Sequence, residues 1–92
     1  MQMDNLRGII HYHADDEYGS IKVKLAEVMD SHGVTRNRLR ELTGTKYDVI
    51  TRYYKGDSVQ MVDLDFLSKV CYVLNCRIED LLEYHPPENQ DR

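Results

Sequence analysis

Three glycines, Gly33, Gly44 and Gly56, and the pair Pro86-Pro87 divide this chain into stretches that leave room only for brief helices. A first helix is expected from Ser20, a good N-cap, with Ile21, Leu25, Val28, Met29 and His32 on one face. The run Ile21 to Leu25 also alternates as a strand would, so an extended entry stays open. Thr35 caps a second helix, Arg36–Thr43, with Leu39 and Leu42 inward. A third, Tyr47–Lys55, turns Ile50 and Tyr53 inward, with Val49 beside them. Asp63 caps a fourth at about 64–74, striped by Leu64, Leu67, Val70, Cys71 and Leu74. A fifth, about 78–84, buries Ile78, Leu81 and Leu82. Residues 1–19 read as an extension, carrying a short strand near 8–13 or forming a mobile arm.

The net charge of −4 argues at first against nucleic acid, but its distribution argues for it. Residues 1–33 carry three Lys/Arg and six Asp/Glu; residues 57–92 carry three and eight. Between them, residues 34–56 hold Arg36, Arg38, Arg40, Lys46, Arg52 and Lys55 against Glu41 and Asp48, a balance of +4. Neutralising phosphates requires a basic face, not a basic protein. No apolar run approaches the roughly 18–20 residues of a membrane span, and the N-terminus has no secretory pattern, so a cytoplasmic protein is expected. Cys71 and Cys76 match no usual zinc spacing and are expected to be reduced, buried or half-buried thiols.

On a strand, His11 and His13 would share a face near Asp15 and Asp16, but a metal needs three or four ligands in fixed geometry, and a polar arm or edge strand accounts for them as well. No nucleophile–base arrangement can be argued, and Asp63 with Asp65 is explained by capping. No catalytic residue, metal, cofactor or small-molecule effector is expected, and the chain is not expected to be an enzyme.

The informative stretch is Thr35 to Gly56, two helices joined through Gly44-Thr45-Lys46. Such a turn sets helices at roughly 90–120°. Leu39, Leu42, Thr45, Ile50 and Tyr53 would hold the corner, leaving Tyr47, Asp48, Thr51, Arg52 and Lys55 outside. That mixture of donors, acceptors and an aromatic suits base edges. The segment resembles, without gaps, the helix-turn-helix of the Cro and cI-like repressors, the Xre family. Thr35, Leu39, Gly44, Ile50 and Gly56 stand at that motif's cap, core leucine, turn glycine, buried isoleucine and closing glycine. The run from Val62 to Tyr84 is similar to the fourth and fifth helices of a compact bacterial and phage subgroup, so the resemblance spans about residues 20–85.

The resemblance implies an all-α, five-helix Cro/cI-like DNA-binding domain over 20–85, after the 1–19 extension and before a disordered 86–92 tail. It implies a sequence-specific transcriptional regulator, a repressor acting as a homodimer on double-stranded DNA, with about 46–55 in the major groove. Arg36 stands where the family usually has a phosphate-gripping Gln. Lys46, Tyr47, Asp48, Thr51 and Arg52 stand at positions that touch bases or adjacent backbone, and Lys55 where a polar residue nears a phosphate. Asp48 suits a cytosine amino group. Arg40 departs from the family's preferred Ala and would have to snorkel outward. The alternative is a protein-interaction module on the same fold, such as an antitoxin or anti-repressor.

Overall fold

The computed structural model describes residues 6–56 and 59–87. Among them lie six helices and two short strands: α1 Asp15–Tyr18, β1 Ser20–Val23, α2 Leu25–Ser31, α3 Arg36–Thr43, α4 Tyr47–Lys55, α5 Leu64–Leu74, α6 Ile78–Leu81 and β2 Leu82–His85. Local signals set several helix ends. The Thr35 hydroxyl accepts the Arg38 N–H at 3.1 Å, and the Asp63 carboxylate accepts the Asp65 N–H at 3.1 Å. Gly44 closes α3 at φ 74°, a left-handed conformation that a Cβ would oppose, and its N–H returns to the Arg40 carbonyl.

The core lies where the helices converge. Leu25, Val28 and Met29 of α2, Leu39 of α3, Ile50 and Tyr53 of α4, four residues of α5 and Leu81 of α6 are buried together. The Tyr53 ring stacks on Phe66 with centroids 4.6 Å apart, and its hydroxyl accepts the Asp63 N–H at 3.0 Å. One aromatic side chain thus fixes the inner face of α4 to the start of α5.

Several expectations need correction. The first long helix begins at Leu25, not Ser20, because residues 20–23 form a strand. The fifth expected helix stops at Leu81, and its remaining residues become β2. The two strands pair antiparallel, Ser20 with His85 through Val23 with Leu82. Each strand supplies the backbone partners that the other would have found in a longer helix. The alternating run from Ile21 to Leu25 was the correct cue.

No strand forms at 8–13. The backbone N–H groups of His11, Tyr12 and His13 instead donate to the Glu17 carboxylate at 2.7, 2.7 and 3.1 Å. Ile21, Leu42, Leu64 and Ile78 are exposed rather than inward, and Leu82 is only half-buried. In the places of Leu42 and Leu64, Thr43 and Phe66 are buried. Thr43 manages this because its hydroxyl donates to the Leu39 carbonyl at 2.8 Å and accepts the Thr45 N–H at 3.2 Å. His32 caps α2 in an exposed position.

Of the tail expected at 86–92, residues 88–92 lie outside the described residues. Cys71 and Cys76 are half-buried free thiols, and burial, followed by the neighbouring Cys71, pushes the Cys76 thiol up to about 11. Among the described residues no helix is long and apolar enough to cross a membrane.

Candidate nucleic-acid interface

The turn Gly44-Thr45-Lys46 delivers α4 with Lys46 as its N-cap residue. An α-helix advances about 100° per residue, so burying Ile50 and Tyr53 determines which residues stay outside. Lys46, Tyr47, Asp48, Arg52 and Lys55 are exposed, and Thr51 is half-buried. All the positions expected at the outer face of α4 are therefore brought to one surface. Asp48 lies in the first turn, where a carboxylate also favours the helix dipole.

The cations of this surface share their lack of carboxylate partners with Lys22 and Arg40 among the described residues. Among the described residues Lys46, Arg52 and Lys55 form no salt bridge, whereas Arg38 is paired with Glu41 at 3.1 Å. Arg40 points outward and is exposed, its Nε donating to the Asn37 Oδ1 at 3.3 Å. The Arg52 guanidinium lies 4.9 Å from the centroid of the Tyr53 ring, which steadies its stem while the residue stays exposed. The surface thus offers three cations without carboxylate partners, a carboxylate and a phenol within one short helix and its cap.

Arg36 behaves differently from the others. It is half-buried, and its Nη1 donates to the Thr51 Oγ1 at 3.3 Å. Its guanidinium lies 5.5 Å from the Tyr47 ring centroid and 5.0 Å from that of Tyr54. The Tyr54 hydroxyl in turn donates to the Asp30 carboxylate on α2 at 3.2 Å. That bond, reinforced by the Asp30 charge, raises the Tyr54 pKa above its ordinary value.

Sequence reasoning missed Tyr54 and Asp30 as parts of this surface. A signal was present: Tyr47, Thr51 and Tyr54 recur at the four- and three-residue steps of one helical stripe. What no local pattern reveals is that Arg36 lies against that stripe.

A family profile described as Cro/C1-type HTH DNA-binding domain matches residues 24–87. Among solved structures, a protein from Bacteroides fragilis described as a candidate DNA-binding protein superposes with a TM-score of 0.61, at 23% identity, over 70% of this chain and 100% of its own. The transcriptional regulator VanUg superposes with a TM-score of 0.57, at 24% identity, over 91% of this chain and 99% of its own. At these identities the likeness to the two structures is one of fold. No curated protein matches.

Proposed function

The chain belongs to the Cro/C1-type helix-turn-helix DNA-binding domain family, and on that premise we propose that it is a sequence-specific transcriptional regulator, a repressor that lays α4 in the major groove of double-stranded DNA. The observation that carries this reading is the outer face of α4, whose cations have no carboxylate partners among the described residues. A surface for a polyanion keeps its cations available.

Within this reading Arg52, Thr51, Tyr47 and Asp48 face base edges, and Lys46 and Lys55 hold phosphates. The descriptions of the two structural neighbours as DNA-binding and transcription-regulating lend it support.

The regulator acts as a homodimer on two half-sites about one helical turn apart. An exposed apolar groove offers a seat for the second copy. It is lined by Leu42, Leu64, Cys71, Tyr72 and Ile78, with Leu64 74% and Tyr72 86% exposed. The charges beside it are matched within the chain: Arg38 with Glu41, Asp65 with Lys69 and Arg77 with Glu79. Two copies meeting there about a two-fold axis bring no unmatched charge against itself. A polyanion or a strongly charged partner finds no complement there.

The test is fluorescence anisotropy on duplexes selected from a random pool. Affinity is expected to fall steeply with salt. Arg52→Ala should weaken binding by about 1–3 kcal/mol and relax one position of the preferred site. Lys46→Ala should weaken all sequences alike and lower the salt slope by about one. Binding that ignores both substitutions would refute the assignment.

A further inference from the structure

We infer that Arg36 is a positioning residue: it clamps the base-reading side chains of α4 from behind and makes no phosphate contact of its own. The inference deepens the DNA-binding reading and rests on it for its functional half. Its structural half concerns the free protein alone.

Three observations converge. The guanidinium is placed between two rings of the same helix, 5.5 Å from Tyr47 and 5.0 Å from Tyr54, both within the range where a cation is attracted to a ring face. Its Nη1 donates to Thr51, which lies between those rings on the same stripe. One planar group therefore contacts three α4 residues, and two of them, Tyr47 and Thr51, are assigned to base edges. The third, Tyr54, is tied to Asp30 on α2. The chain Asp30, Tyr54, Arg36, Tyr47 thus links α2, α3 and the first turn of α4.

An arginine reserved for phosphate would extend clear of α4. Arg36 is half-buried and turned along the flank of the recognition helix. The geometry suits arginine alone: a lysine ammonium is a compact point charge and cannot lie flat between two rings while donating to a hydroxyl. At this position charge is a means of holding aromatic rings. Tyr47, exposed at 43%, is the beneficiary, because a side chain held in one rotamer before binding loses less freedom on meeting DNA.

Two measurements test the clamp. In the free protein, ring currents from Tyr47 and Tyr54 should shift the Arg36 side-chain proton resonances upfield in NMR spectra. Both Arg36→Ala and Arg36→Lys should move the Tyr47 ring signals. Arginine resonances at their unstructured positions would overturn the clamp, whatever the protein binds.

On the selected duplex, both variants should lose about tenfold in specific affinity. Non-specific affinity and the slope of log K against log salt should stay at the parent's values. A slope reduced by about one in Arg36→Ala, with equal losses on all sequences and recovery in Arg36→Lys, would identify a phosphate contact and overturn the inference. A parent chain that binds no duplex would defeat the DNA-binding reading and the functional half together. The resonance shifts would then still judge the clamp.

Discussion

At the residue scale, Glu17 holds the segment that precedes the first helix. Its carboxylate gathers the N–H groups of three successive residues and so folds the segment before α1 back on itself. The His11 N–H is the largest influence holding its pKa below the ordinary 4.5, with those of Tyr12 and His13 adding to it. A carboxyl whose folded pKa is depressed stabilises structure above its unfolded value and loses that contribution as pH falls through the folded one. Acidification below 4.5 should therefore release the clasp, seen as shifts of the His11, Tyr12 and His13 amide resonances. Glu17→Gln should show those released signals already at neutral pH and respond little to acid. Unchanged amides in that variant would mean that something else holds the segment. None of this was legible in the sequence, where His11 and His13 drew attention toward a strand or metal and Glu17 read as one acid among several. The same holds for Arg36: its position was readable from the motif, but its direction depends on two rings later in the chain.

At the scale of elements, what was legible is what is local. Thr35, Gly44 and Asp63 all bound helices where the sequence places the ends, because capping depends on neighbours within a few residues. The α4 face followed from two buried residues and helical geometry. The sheet was not readable as a pair, since each strand is four residues long and its partner lies at the other end of the domain. Leu42 and Leu64 were misplaced because hydrophobicity alone cannot rank two candidates at the edge of a stripe. Thr43 won by satisfying its hydroxyl internally. Two glycines separate the kinds of constraint at element ends. Gly44 faces open space at its left-handed φ, so Gly44→Ala should cost about 1–2 kcal/mol of unfolding free energy. Gly19, buried at φ 85°, would also drive a Cβ into the His85 carbonyl oxygen and to 3.0 Å from the Pro86 Cα. Gly19→Ala should lose clearly more in urea titration, and equal losses would show that the sheet yields to the added atom.

At the scale of the whole molecule, charge and assembly act together. A +4 block within a chain of net charge −4 makes orientation matter: the basic face is attracted to a duplex while the remaining surface is repelled. The repulsion also discourages binding in any other pose. If the groove between α3, α5 and α6 seats a second copy, Leu64→Glu should yield a monomer in sedimentation, weaken binding to a two-half-site duplex and leave half-site binding unchanged. A variant that stays dimeric would move the contact elsewhere. The pairing of Ser20 with His85 has a separate consequence. Adjacent strands lie about 5 Å apart, so the two ends of the folded domain are near neighbours. A few residues would suffice to splice them, and new termini could be opened between α4 and α5. Such a circularly permuted chain should keep the α3–α4 corner whole, and it would leave that corner's outer face clear of any fused reporter.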